Sequence, residues 1–271
     1  MKKCNICQSE NIYINCKECG IIYNENIPDD NKLNSFYKKE YRDNIAGEVL
    51  DNGYYDSRKF VNISRWKYMR NIIGNDIHLK RSLDIGCSEG SFLEVMRENG
   101  FASYGVEPNE KYSHFKHNEN IDNIDFDRFN TSINFGLITI FHTLEHLNDP
   151  IKTLNKINNL LIDGGYIVIE VPNTECKYCK SSDIMPEHIY YFNKKNITKM
   201  LELCNFKIID IRTVSDDINI VSPYIVKKFR HNKFLKRIYH IFLPFLNRIR
   251  FGKYDNNFLG SDLRVIGKKL K

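Results

Sequence analysis

From residue 82 onward, short apolar runs alternate with stretches in which apolar side chains return every three or four positions. This is the pattern of strands interleaved with amphipathic helices. Residues 82–85 form the first run, Gly86 and Gly90 permit a tight turn, and residues 91–99 carry Phe92, Leu93 and Met96 at helical spacing. Gly100, in the place that follows a helix end, leads to a second run at 102–106 that closes on Glu107. Residues 135–141 (FGLITIF) predict a buried strand. Asp149 and Pro150 then supply an N-cap and a first helical residue, with Ile151, Leu154, Ile157 and Leu161 on the apolar face. Asp163, Gly164 and Gly165 predict a turn into a buried strand at 166–171 (YIVIEV). A helix over 194–204, bearing Ile197, Met200 and Leu201, precedes a strand over 207–214, and residues 262–267 read as the last strand. The alternation predicts an α/β fold, a doubly wound, mostly parallel sheet with helices on both faces.

Two segments depart from this alternation. Over residues 58–73, Phe60, Ile63, Trp66, Met69 and Ile73 recur at helical spacing and predict a stripe that packs on the core. Tyr54 and Tyr55, just ahead of it, are candidates to reach over a substrate pocket. Residues 223–253 mix Lys and Arg with Phe229, Phe234, Leu235, Ile238, Phe242, Phe245 and Leu246, which predicts one or two amphipathic helices divided at Pro244. That composition suits a cap over a pocket, contact with a membrane surface or partner through 227–253, or, less readily, RNA.

A chain of 271 residues can bury a full α/β core and still carry an appendage. Its 42% hydrophobic and 27% charged content is that of a soluble globular protein, and a net charge of +6 does not by itself indicate a nucleic-acid partner. Met1, Lys2 and Lys3 run into Cys4 and polar residues, and no apolar stretch is long enough to span a bilayer, so a cytoplasmic protein is expected.

The cysteines sharpen the picture. Cys4, Cys7, Cys16 and Cys19 form two C-x-x-C knuckles eight residues apart, spacing that places four thiolates around one tetrahedral Zn²⁺, and Gly20 suits the turn after the second. A closed four-cysteine site is structural, because it has no open coordination position. Cys176 and Cys179 have no partner pair nearby and read as plain thiols. The expected organisation is a zinc ribbon over 1–28, a linking helical region over 29–80 and the α/β domain over 81–271, with 223–253 inserted.

Strand, glycine turn, helix and then an acid at the end of the next strand describe a nucleoside-binding crevice, in which the acid accepts hydrogen bonds from ribose hydroxyls. NAD is the weaker ligand: against the required G-x-G-x-x-G, the chain offers Gly86, Ser88 and Ser91. The segment LDIGCSEG instead resembles motif I of the class I S-adenosylmethionine (SAM)-dependent methyltransferases, D-x-G-x-G-x-G, with Asp84, Gly86 and Gly90 matching and Ser88 replacing the middle glycine. HTLEHLNDP, followed by a helix and LLIDGGYIVIEVPN, resembles the fourth and fifth strand region of the small-molecule members, so the likeness runs over about residues 81–214. It implies a seven-stranded sheet with an antiparallel last strand. It also implies SAM held by Asp84, Gly86, Gly90 and Glu107, by Phe141 and His142 after the fourth strand, and by an acid after the third. For that acid the chain offers Asp122, Asp125 and Asp127, of which Asp125 or Asp127 aligns better.

Methyl transfer is an in-line displacement that requires the acceptor to be aligned and, usually, deprotonated. Histidine titrates in the right range for that base. His188 in PEHIYYF is the nominated base, oriented by Glu187; Glu145 and His146 are further catalytic candidates, and Tyr191 joins Tyr54 and Tyr55 as a substrate contact. Glu145 and His146 also suit a turn-capping role. With His142 they have the spacing of a divalent-metal site like that of related quinone O-methyltransferases, except that His142 stands where those have an acid. The cysteine module, motif I and the later Glu-His pair together resemble sugar C-methyltransferases of deoxysugar pathways, which commonly continue into a further large C-terminal domain that this sequence lacks. The expected reaction is methyl transfer, to oxygen or carbon, on a sugar, sugar nucleotide or related cell-surface polysaccharide precursor. The alternatives are a ribosomal RNA methyltransferase with a zinc ribbon and a quinone-like O-methyltransferase.

Overall fold

The computed structural model describes residues 16, 18–23, 50–115, 120–176, 188–214 and 261–271. In chain order these form β1 (Ile22–Tyr23), α1 (Asn52–Ile73), β2 (Arg81–Ile85), α2 (Ser91–Glu98), β3 (Ala102–Val106), α3 (Glu110–Ser113) and β4 (Ile121–Asp122). There follow β5 (Phe135–Phe141), a 3-10 turn (Leu144–His146), α4 (Pro150–Leu160), β6 (Leu161–Pro172), β7 (Tyr190–Tyr191), α5 (Lys194–Leu203), β8 (Phe206–Val214) and β9 (Asp262–Lys269). Seven strands make one sheet in the order β4-β3-β2-β5-β6-β9-β8. All are parallel except β9, which runs antiparallel to both β6 and β8.

The order follows from burial. All seven residues of β5 are buried, as an apolar run covered on both faces must be, and β5 lies at the centre of the sheet. One core layer joins Leu83, Ile85, Ile138, Ile140, Ile167 and Ile169 to α4 and α5. The other joins Leu137, Val168 and Ile266 to Trp66 and Met69 of α1 and Phe92 and Met96 of α2.

Two sequence expectations are corrected. The Asp163–Gly165 stretch does not end a helix-to-strand turn, since β6 runs unbroken from Leu161 to Pro172. Gly164 at φ 74° and a register shift opposite Phe135 and Leu137 absorb the irregularity as a bulge. In α1, Asp51 caps the helix at Asn52, six residues before the expected start, by accepting from the Tyr54 amide at 2.8 Å. Its buried face also lies to one side of the expected stripe: Phe60 is exposed, whereas Asn62 and Arg65 are buried. The reason is electrostatic, because Arg65 is drawn inward to Glu170 on β6.

The second cysteine knuckle packs on the main fold. β1 pairs antiparallel with β7, Ile22 opposite Tyr191 and Tyr23 opposite Tyr190, and Cys16, Cys19 and Ile21 share a core with Ile189, Tyr190 and Phe192. Cys4, Cys7, Cys179, Glu187 and the 223–253 segment lie outside the described residues. Among the described residues, no helix is long and apolar enough to cross a membrane.

Candidate active site

The turn after β2 is built around positive-φ backbone. Gly86 (φ 73°) and Gly90 (φ 79°) flank Ser88, a non-glycine residue at φ 53°. Ser88 therefore adopts the conformation that a glycine would supply in its place, and its amide donates to Glu107 at 2.9 Å. Gly86 is obligatory for space as well: a Cβ there would lie 2.2 Å from Thr143 Oγ1. The turn is acidic. Asp84, Glu89 and Glu107 are all buried around it. Glu107 accepts from the Ser88 and Asn109 amides, while Glu89 accepts from the Ser88 and Ser91 hydroxyls. Burial pushes the Asp84 carboxyl up to about 7. The Thr139 hydrogen bond (2.6 Å) and Arg65 oppose that shift, and Glu89 and Glu107 reinforce it.

The three acids offered after the third strand of the parallel order, Asp122, Asp125 and Asp127, take different places. Asp122 ends β4, and its carbonyl accepts from the Glu107 amide, while Asn123 donates to the Glu107 carbonyl at 2.9 Å. Asp125 uses its carbonyl to accept from the Arg128 and Phe129 amides, and Asp127 is exposed, 3.9 Å from Lys152 on α4. Position alone thus sets Asp122 and Asn123 beside Glu107. Tyr54 and Tyr55 lie on this side as well: Tyr54 meets Tyr112 of α3 edge-on at 6.4 Å, and the Tyr55 hydroxyl donates to Glu94 of α2.

A second polar centre sits at the carboxyl ends of β5 and β6. Phe141 packs edge-on against Phe92 at 5.1 Å with the Arg65 guanidinium over its ring. His142 follows at φ 47°, its amide donating to the Glu170 carbonyl at 2.8 Å. Its Nε2 lies 3.1 Å from Glu170 Oε1. Burial lowers the His142 pKa, but Glu145 and Glu170, with Asp262, outweigh it and hold the imidazole well above its usual range. Glu170 is itself clamped by Arg65 and by Arg264 of β9, whose Nε donates at 2.6 Å. Burial raises this carboxylate; Arg264, Arg65 and His142 bring it well below the usual range.

Beyond His142 the chain brings Glu145, His146 and His188 together. The Ile189 amide donates to the Glu145 carbonyl at 2.9 Å and ties the β7 segment to the 3-10 turn. The His146 and His188 rings meet edge-on at 4.8 Å, and Tyr191 stands 6.0 Å from His188. All three members of the cluster are buried. Burial pushes Glu145 up, but His146, His142 and His188 bring it below the ordinary carboxylate range.

Sequence reasoning did not single out Arg65, Glu89, Thr143, Glu170, Asp262 or Arg264. Glu170 had a readable signal, since an acid inside the run YIVIEV is costly to bury without a cationic partner. Arg65 and Arg264 carried none, because nothing local pairs them with β6. A surface cleft lined by Glu18, Cys19, Lys194, Lys195 and Lys199 lies on α5 and includes none of these residues.

A sheet of this order with one antiparallel strand, and an acid-lined glycine turn after its β2 strand, define a class I methyltransferase. The model of the methyltransferase domain family matches residues 55–211, more than half of the chain, and the protein belongs to that family. Among solved structures, a SAM-dependent methyltransferase from Archaeoglobus fulgidus is 25% identical, covering 81% of this chain and 100% of its own at a TM-score of 0.51. A Synechocystis magnesium protoporphyrin IX methyltransferase with SAM bound is 12% identical over 91% of this chain and 99% of its own, with a TM-score of 0.55. Phosphoethanolamine N-methyltransferase 2 of Haemonchus contortus, in complex with SAM, is 13% identical over 88% of this chain and 60% of its own, with a TM-score of 0.58. The last two share the fold. No curated protein matches the sequence significantly.

The protein is thus a SAM-dependent methyltransferase, and the turn fits that cofactor: buried carboxylates beside a positive-φ glycine turn suit a ligand with sulfonium and ammonium charges. When bound, SAM supplies an electrophilic methyl group.

Proposed function

We propose that this protein transfers a methyl group from SAM to a sugar, sugar nucleotide or related cell-surface polysaccharide precursor, at oxygen or carbon. Asp84, Gly86, Gly90 and Glu107 hold the cofactor, with Phe141 and His142 closing the methionine side and Asp122 or Asn123 beside Glu107. His188 removes the acceptor proton. The observation that carries this reading is the buried Glu145–His146–His188 cluster at the strand ends, one loop away from the glycine turn through Thr143. A carboxylate and a second imidazole beside His188 stabilise the imidazolium that proton transfer creates. Tyr191 supplies an aromatic face of the kind on which a sugar ring packs. The Glu145–His146 pair thus supports His188 among the described residues, and Glu187, the orienting residue expected from the sequence, lies outside them.

Two measurements test the reading. With labelled SAM and a panel of sugar nucleotides, the label is expected in a sugar product, and His188→Ala is expected to lower the transfer rate at least a hundredfold at saturating substrates. Label appearing in ribosomal RNA instead, or an unimpaired His188→Ala, contradicts it. We further infer that Cys4, Cys7, Cys16 and Cys19 hold a structural zinc. The Gly20 amide donates to the Cys16 carbonyl at 2.7 Å with Gly20 at φ 74°, a turn that suits a metal knuckle, and both described cysteines are buried. A zinc content that falls by one ion per chain in Cys16→Ser is the expected result of elemental analysis; a zinc-free wild type, or a content unchanged in Cys16→Ser, contradicts it.

A further inference from the structure

We propose that Glu145, His146 and His188 form a binding site for a divalent transition-metal ion, distinct from the cysteine module. One ligand atom from each residue lies within 4.8 Å of the others. Metal–ligand bonds of about 2.0–2.2 Å bring such donors to about 3–3.5 Å apart, so a shift of roughly 1 Å closes the shell.

The second observation is the state of Glu145. Its side chain is 1% exposed, yet among the described residues its Oε2 has no hydrogen-bond partner. Its Oε1 stands 3.8 Å from both His142 Nδ1 and His146 Nε2, too far for a hydrogen bond to either. A buried carboxylate costs several kcal/mol unless its oxygens are satisfied. A cation seated between Oε and the two imidazoles satisfies it, and a proton does not reach across that gap. The backbone holds the donors in place, since the Ile189 amide is bonded to the Glu145 carbonyl and β1 pairs with the β7 strand that begins two residues after His188.

Two imidazole nitrogens and one carboxylate oxygen select manganese, iron, cobalt, nickel or zinc over calcium and magnesium, and three protein donors leave coordination positions for water or another oxygen ligand. His142 lies outside this three-donor set, its Nε2 on Glu170 and its Nδ1 3.8 Å from Glu145 Oε1. An ion here occupies the lone pair that His188 uses as a base, so the metal-bound protein has lost its proton acceptor.

The test uses Mn²⁺, which a tetrathiolate site rejects, on the full chain with its cysteine module intact. Electron paramagnetic resonance is expected to show one Mn²⁺ per chain, with affinity at least tenfold weaker in Glu145→Gln and in His188→Ala and unchanged in Lys199→Ala. Should a variant fail to fold, nitrogen hyperfine coupling in the wild type decides: two imidazole nitrogens on the bound ion support the site. No Mn²⁺ bound at millimolar concentration, binding undiminished in a folded Glu145→Gln, or an ion without imidazole coupling overturns it. Loss of this site leaves the base role of His188 intact, and loss of the base role leaves the metal site intact, so the two readings fail separately.

Discussion

Replacing Glu170 by Gln tests whether the polar centre under the strand ends is an electrostatic unit. In the native protein this carboxylate receives Arg65 through Nε at 3.1 Å and Nη2, Arg264 through Nε at 2.6 Å and Nη2, and His142 through Nε2 at 3.1 Å. Its side chain and those of both arginines are within 4% of full burial. The amide keeps the volume and removes the charge, leaving two guanidinium groups with their desolvation uncompensated and His142 without its carboxylate partner. Breaking a buried ion pair in this way costs about 3–5 kcal/mol. For a chain of this size, with about 2.1 cal/mol/K of unfolding entropy per residue, that lowers the thermal midpoint by about 5–9 °C. Thermal unfolding by circular dichroism measures it. The triple variant Arg65→Met, Glu170→Leu, Arg264→Met removes the charges together and is expected to recover most of the loss. Because the folded-state pKa of Glu170 is depressed, its contribution is present above the unfolded carboxylate range and is lost as the pH falls through the folded value. The deficit of Glu170→Gln therefore narrows in acid. A loss under about 1 kcal/mol at neutral pH, or a triple variant no better than the single one, refutes the argument.

Asp84→Asn separates stability from cofactor binding. The folded-state pKa of Asp84 is raised to about 7 from an unfolded 3.8, so the native protein binds the extra proton between those values and loses stability as the pH rises through them. The asparagine variant lacks that slope and at pH 8 should exceed the wild type by up to about 4 kcal/mol in urea unfolding, yet bind SAM at least tenfold more weakly. Equal slopes in the two proteins would show that Asp84 ionises normally. Gly86→Ala places a Cβ 2.2 Å from Thr143 Oγ1 on a positive-φ residue. The left-handed conformation alone costs about 1–2 kcal/mol, and SAM affinity falls as the turn shifts. Adding Thr143→Ala should restore part of that loss; a double variant no better than Gly86→Ala places the cause in the backbone alone.

Much of the fold was legible because its signals are local. The run FGLITIF offers Thr139 as its single polar position, too few to face water, so it had to be a strand covered on both sides, and β5 occupies that place. The pair Asp149–Pro150 marked the start of α4 to the residue. The glycine turn was equally readable, down to Ser88 standing where a glycine is expected. What stayed illegible is non-local. The shifted face of α1 depends on Arg65 reaching Glu170, 105 residues away in the chain. The contact of His188 with His146, from the turn after β5, is likewise non-local, while Glu187 beside it in sequence lies outside the described residues. The bulge in β6 escaped notice because Asp163, Gly164 and Gly165 spell a turn and a glycine bulge with the same residues.

The central claim is that one crevice divides its work between a carboxylate-lined glycine turn that holds SAM and a histidine cluster that handles the acceptor. Calorimetric titration of SAM into the wild type, Glu107→Ala and His188→Ala tests it most directly. The wild type and His188→Ala are expected to bind SAM alike, while Glu107→Ala binds at least tenfold more weakly. Absence of SAM binding by the wild type, or a loss in His188→Ala as large as that in Glu107→Ala, would contradict it.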